Sequence, residues 1–435
     1  MTNDLAQTAM LAAWQTGNAA EVDAALAAWA TNGAEPPVEY WVQRVYADAC
    51  FERDSVASSV RSAESAARKL GDEVALARIA ASVIDALYSE WLPSRDARKW
   101  LDVLRHVAFA RLLVLPASHR LEIAAGILAA DLFGEALSTA KQVAERVATW
   151  VNDDAHVSAM VRGNALGYAL EYFSGQRQWE VARALVQQID LLCQQSGFGS
   201  AGRARVSSRR GFYYHYRRGD YSGALLHSNE AVAQAKLADV ARPGREASIT
   251  VTLCHLMRGE LADAERALAL EAAGIPDGHL MMRANVHYEQ SWLHALRRDV
   301  VAAQRELDAA CRLFAEIDEH GVMSLATPSL QAQLLLQVGE LDAALNVFEM
   351  LTRRPDAWVV DIALIEALRH ISRNDQMAAV AALRRGLGVA TRIDIKGVFW
   401  ACRPEFAQLM SLAIRENIEP VWVKTAVNAR LISLP

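Results

Sequence analysis

Arg218-Gly219-Asp220-Tyr221-Ser222-Gly223-Ala224-Leu225 is the stretch that decides the fold, because it comes back. It returns as Arg258-Gly259-Glu260-Leu261-Ala262-Asp263-Ala264-Glu265, then as Arg297-Arg298-Asp299-Val300-Val301-Ala302-Ala303. Two more copies follow: Val338-Gly339-Glu340-Leu341-Asp342-Ala343-Ala344-Leu345 and Arg373-Asn374-Asp375-Gln376-Met377-Ala378-Ala379. Gly219, Gly259, Arg298, Gly339 and Asn374 lie 40, 39, 41 and 35 residues apart. A period of this size marks a protein built by stacking one supersecondary unit on the next. Stacking creates a long concave surface, so the expected work is to hold something.

The unit itself reads as a helical hairpin. Apolar residues recur at helical spacing around each phrase, and no stretch alternates as a strand does. Gly339 suits a left-handed helix C-cap. Beyond it Ala344 and Phe348 are one turn apart, a small residue followed by a bulky one, which lets two helices approach closely. Ala224, Ala264 and Ala303 hold the same small position. The fold class expected is all-α: a right-handed superhelix of tetratricopeptide-like helix pairs, an α-solenoid. The N-terminal half is more degenerate, with Gly17-Asn18, Arg53-Asp54, Gly134-Glu135 and Arg177-Gln178-Trp179 as its punctuation. One helix is expected over roughly 95–113. The loop 196–202, with three glycines, is the expected hinge between degenerate repeats at 1–196 and regular ones at 203–435.

The chain has 435 residues, 52% of them hydrophobic and 22% charged, with a net charge of -6. That balance disfavours non-specific nucleic-acid binding, which rests on a positive surface. Five scattered cysteines without metal-ligand spacing read as small buried hydrophobes in a reducing compartment. No signal-peptide pattern opens the chain, and no apolar run is long enough for a span. A cytoplasmic protein is expected. No G-x-S-x-G, no H-E-x-x-H and no paired-carboxylate arrangement is found, so neither catalysis, nor a metal, nor a cofactor is expected.

The candidate binding residues come from a shared phase. His215, His255, His294 and His370 each lie four residues before the punctuation, with Gln290 and Glu366 one turn earlier on the same stripe. First helices line the inner wall of such a superhelix, so this stripe is expected to face a groove, with Arg283, Arg369 and Arg403 as contacts for an anionic ligand. Partly buried histidines bonded between helices are the alternative. Gly197-Phe198-Gly199-Ser200-Ala201-Gly202 matches G-x-G-x-x-G, but the helix before it makes it an inter-helix loop rather than a phosphate cradle. Arg209-Arg210 and Arg217-Arg218 read as a solvated face. Tyr213 and Trp292 read as core.

Phe399-Trp400-Ala401-Cys402-Arg403-Pro404-Glu405, followed by Leu412-Ala413-Ile414-Arg415-Glu416-Asn417-Ile418-Glu419, resembles the closing phrase of the sensor region in MalT-like, ATP-dependent bacterial transcriptional regulators. The resemblance covers residues 160–435 best. It implies a sensor of a small-molecule inducer or of a protein or peptide segment. It also implies ATPase and DNA-binding effector domains, in cis or in trans. No P-loop phrase occurs here and no DNA-binding domain follows within the sequence, so the resemblance implies either a free-standing sensor or a piece of a larger regulator. A scaffold that binds a protein segment, with no small ligand, is the competing expectation.

Overall fold

The computed structural model describes residues 3–16, 18–30, 36–89, 94–132, 137–154, 157–195, 197–276, 278–317, 327–349, 356–394 and 400–434. Gly17, Gly134-Glu135, Ser196 and Phe399 lie outside them. The described residues form α-helices and one π-helical turn, with no strand. They divide into two compact units: residues 1–210 with 227–247, and residues 211–226 with 248–435.

The repeated phrase is a double cap. Gly219, Gly259, Arg298, Gly339 and Asn374 all have φ between +57° and +85°, the left-handed region that ends a helix. At each site the next residue's N–H reaches back to a carbonyl in the last turn: Glu260 to His255, Asp299 to His294, Glu340 to Leu335 and Asp375 to His370, all at 2.9–3.0 Å. Asp220, Asp299 and Asp375 then accept from the backbone N–H three residues on and start the next helix. Ala224, Ala264, Ala303, Ala344 and Ala379 follow, each fully buried. Cap, cap and small contact residue are thus carried by one phrase of seven or eight residues.

The first unit holds α1 (Asn3–Thr16), α2 (Ala19–Ala30), α3 (Val38–Cys50), α4 (Val56–Leu70), α5 (Glu73–Ser89) and α6 (Ser94–Arg105). It continues with α7 (Phe109–Leu113), α8 (Ala117–Leu132), α9 (Ala140–Trp150), α10 (Ala159–Gly175), α11 (Trp179–Cys193) and most of α12 (Ser200–Phe212). Helices pack as hairpins, α3 with α4, α8 with α9 and α10 with α11. The first members of the hairpins form their own layer: α3 on α5, α5 on α8, α8 on α10. Gly126 of α8 sets one of these contacts, since a Cβ there would stand 2.4 Å from Ala81 of α5. The helix expected over 95–113 is two helices. It breaks after Arg105, where His106 Nδ1 bonds the Asp102 carbonyl and takes up the helix end.

The N-terminal part of α14 (Arg242–Arg258) also belongs to this unit, together with most of α13 (Tyr221–Ala238). Glu52, in the turn after α3, accepts from the N–H groups of Ala241 and Arg242 at 3.0 and 2.6 Å, and so caps α14. Arg242 donates to the Ala49 carbonyl. Last helix and early helix of the unit are thereby tied.

The second unit holds the π-helical turn Tyr213–Arg218, the C-terminal part of α14, α15 (Leu261–Ala273), α16 (Leu280–Leu296), α17 (Val300–Ile317) and α18 (Thr327–Gln337). It ends with α19 (Leu341–Glu349), α20 (Asp356–Ser372), α21 (Gln376–Arg392), α22 (Arg403–Arg415) and α23 (Pro420–Ala429). The same hairpin pattern recurs, α16 with α17, α18 with α19, α20 with α21. Tyr213 and Trp292 are core residues. The chain passes from the first unit to the second at Arg210/Gly211. The glycine loop is pinned at 197–202. Phe198 is buried against Gly163 and Gly202, and Arg203 donates to the Phe198 and Gln195 carbonyls, which leaves no free phosphate cradle there.

Candidate functional site

The polar groups inside the first unit lie on its layer of first helices. On α5, Arg78, Ser82 and Asp85 stand at i, i+4 and i+7, and all are buried. Arg78 donates to both oxygens of Glu39 on α3, at 2.5 and 3.0 Å, and through Nε to Glu122 Oε2 on α8, at 2.5 Å. Gln43 also donates to Glu39, and the Trp14 indole of α1 donates to Gln43. Burial alone would push the Glu39 carboxyl up, but Arg78 and the Gln43 amide outweigh it and hold it below the usual carboxylate range. His119 beside them is pushed down by burial and by Arg78, so it is a neutral imidazole at pH 7.

A second cluster follows two turns along, at Asp85. Asp85 accepts from the Tyr168 hydroxyl at 2.5 Å and from Arg205 at 2.6 Å, with Asn164 alongside. Burial pushes this carboxyl up, yet Arg205, Tyr168 and Arg209 together hold it below its ordinary value. Arg209 lies over the Tyr168 ring at 3.7 Å and pairs with Glu171, which also accepts from Tyr88. Glu246 of α14, held by Ser208, is pushed up by burial to about 7 despite Arg209 nearby. Arg209-Arg210 are therefore not a solvated face: both are buried, and Arg210 pairs with Asp190 and Glu230.

A cavity of about 330 Å³ opens over the first cluster. Its walls come from α1, α2, α3, α5 and α8 and from the start of α10: Trp14, Trp29, Tyr46, Met10 and Val161 supply apolar surface, and Glu39, Gln43, Arg78, His119 and Glu122 supply polar groups. A separate void of about 10 Å³ is walled by Asp85 and Asn164 and shares Tyr46, Glu122 and Val161 with the cavity. This site was missed in the sequence. Polar and charged residues at i and i+7 inside apolar helices were its signal, as in Arg78/Asp85 and Asn164/Glu171.

The stripe of the second unit is distributed differently. His215 is buried, with Nδ1 3.3 Å from Cys254 Sγ, and burial together with Arg430 pushes its pKa down to about 3. It therefore faces the interior and not a groove. His255 bonds Glu260 of its own cap at 2.7 Å, and His370 stands 3.9 Å from Asp375. Glu366 pairs with Arg385, and Arg369 with Asp342. Gln290 and His294 are half-buried on α16, and Arg283 is exposed. Arg403 is a clamp. Its Nη atoms donate to the Met257 and Arg430 carbonyls, and its guanidinium lies where a Cβ on Gly259 would stand, 2.8 Å away. The arginines proposed for an anion are thus spoken for or dispersed. His255, Glu260 and Asp263 are within ligand distance of one another, but Arg258 and Arg266 pair with the two carboxylates. An open groove of about 480 Å³ runs between α17 and α18, lined by Val300, Val301, Leu334, Leu335 and Val338 and by the polar Gln304, Arg305, Asp308 and Arg312.

No protein-family model and no curated protein matches the chain. The structure is similar to the apo form of the quorum sensor NprR from B. thuringiensis. The TM-score is 0.47 and the identity 10%, over 83% of this chain and 99% of that one. No helix among the described residues is long and apolar enough to cross a membrane.

Proposed function

We propose that this chain is the ligand-sensing helical-repeat module of a bacterial transcriptional regulator, and that the cavity of the first unit is its ligand site. The observation that carries the reading is a 330 Å³ cavity walled by six helices of one unit, with buried charged groups converging on it. A ligand that touches several stacked helices biases their packing whenever it prefers one arrangement over another. The resemblance of the Trp400–Glu419 segment to MalT-like regulators supplies the regulatory setting, with ATPase and DNA-binding domains in cis or in trans. The reading is of a binding protein and not an enzyme, because the acids Glu39 and Glu122 at the cavity are braced by Arg78 and no nucleophile–base pair stands among the described residues that line it. Five free cysteines suit a cytoplasmic setting.

The test is thermal unfolding against a metabolite library, with Val161→Trp as the variant that fills the cavity. At least one compound class is expected to raise the midpoint of the native chain by a few degrees, roughly what ligand at 100 times Kd delivers, and to leave the variant unmoved. A library in which no compound separates the two proteins would end the reading. A second reading, a scaffold for a protein segment, is favoured by the groove between α17 and α18, where Val301 and Val338 are exposed.

A further inference from the structure

The charge at the cavity is unbalanced. Two carboxylates, Glu39 and Glu122, face one guanidinium, Arg78. Arg78 is 2% exposed and spends Nε, Nη1 and Nη2 on these two partners. His119 is a neutral imidazole at pH 7, and Gln43 brings no charge. Of the Glu122 side chain only 8% is exposed, and its Oε2 is engaged by Arg78. Among the described residues no hydrogen bond reaches its Oε1, although the residue lines the cavity. Glu122 lines the cavity, so its Oε1 can accept from a donor that a ligand brings there. Trp14, Trp29 and Tyr46 are among the other wall residues, and aromatic surface beside carboxylates is the setting that receives a desolvated cation.

We infer that the cavity takes an organic cation, an amine or guanidine attached to a compact apolar body, whose N–H groups bond Glu122 Oε1 and Glu39 while the body packs against the indoles. The inference rests on the cavity being the ligand site. It reverses the sign expected from the arginines of the second unit. Arg78 serves as a brace that holds the two carboxylates in place, so that the ligand meets a site already ordered. The cation comes either as a free small amine or as the amino end of a short peptide, and the chemistry at Glu122 is the same for both.

The experiment is calorimetric titration of the full chain with phenethylamine and with phenylacetate, which have similar bodies and opposite charges. The amine is expected to bind at least about tenfold more tightly. Glu122→Gln keeps the side-chain shape and should weaken the amine by about tenfold or more. Gln7→Lys, at an exposed position on the cavity wall, brings a cation of its own and should compete the amine out without touching the core. A tripeptide with an aromatic first residue, free or acetylated at its amino end, separates the two sources. Tighter binding of the free peptide than of phenethylamine assigns a chain end; weaker binding assigns a small amine. Equal binding of the acetylated peptide would overturn the inference. So would phenylacetate binding as tightly as the amine, amine affinity unchanged in Glu122→Gln, or no amine binding up to about 10 mM. If the metabolite library still yields an anionic or neutral ligand excluded by Val161→Trp, the sensing reading stands and only the cation is lost.

Discussion

The two units bury acids in opposite ways. In the first, Glu39 and Asp85 lie against Arg78 and Arg205, and their carboxyls sit below the usual range. In the second, Glu271 of α15 and Glu289 of α16 face each other with Thr252 of α14 and Asn285 beside them, and no cation enters. Burial pushes Glu271 up to about 7 and Glu289 well above its ordinary value, and the two cannot both be charged. Asp361 of α20, held only by Ser329, is pushed by burial to about 7. Glu39 and Asp85 thus stay charged beside arginines, whereas Glu271, Glu289 and Asp361 are pushed towards the protonated form. Glu246 is the exception in the first unit, raised to about 7 by burial. A stacked repeat therefore tolerates either solution for a buried carboxyl, an arginine beside it or a shift towards the protonated form.

The contrast breaks most readily at Arg205. Arg205→Met takes the directly bonded cation from buried Asp85, leaving Tyr168 and the more distant Arg209, and unfolding in urea should register a loss of about 3–5 kcal/mol in the first unit. A loss under about 1 kcal/mol would mean that the pair contributes little. The pH profile comes next, followed by hydrogen exchange so that each unit reports separately. A group whose folded pKa is depressed gives stability that is present above the unfolded value and lost as pH falls, so helices α3 and α5 should loosen in acid. A carboxyl whose folded pKa is raised works in the other direction. Stability around Glu271 should fall as pH rises above its unfolded value of 4.5, because the unfolded chain releases a proton that the folded pair keeps. Glu289→Gln removes the neighbouring acid and should flatten that limb. A profile identical to the parent's would detach it from this pair. Ala344→Trp overfills the contact under the repeated phrase in the second unit, and thermal melting should show a cost of roughly 1–3 kcal/mol. The smallest effect is expected at Arg369→Ala, whose partner Asp342 is largely exposed: below about 1 kcal/mol in the same assay.

The repeat phrases were legible because backbone conformation is a local property. Gly219, Gly259, Arg298, Gly339 and Asn374 announce left-handed caps whatever packs around them. Even the degenerate half obeys this at Arg177, with φ +59°. The groove was not legible by the same route. Position relative to a cap fixes which side of a helix His255 or His370 leaves from, but not whether it is taken up by an acid of its own cap, as Glu260 and Asp375 do. Arg209 and Arg210 misled in a related way. Two adjacent arginines read as solvent-facing until Glu171, 38 residues earlier, and Glu230, 20 residues later, arrive beside them. Partners at such range have no signature in a single sequence. The acidic cavity was visible only as charges interrupting the apolar helices at Arg78 and Asp85.

The Glu52 cap on α14 bears on how the chain is made. Its hydrogen bonds to Ala241 and Arg242 join residues about 190 apart in sequence, and the segment 211–226 that comes between 1–210 and 227–247 belongs to the other unit. During synthesis the first unit cannot close when its first twelve helices have emerged. It waits until the start of α14 is available, by which time the opening segment of its neighbour is already exposed. Cutting at the loop after α11 would then yield not a minimal folding piece but an interrupted one, with Arg205 and Glu246 missing from the interior they complete.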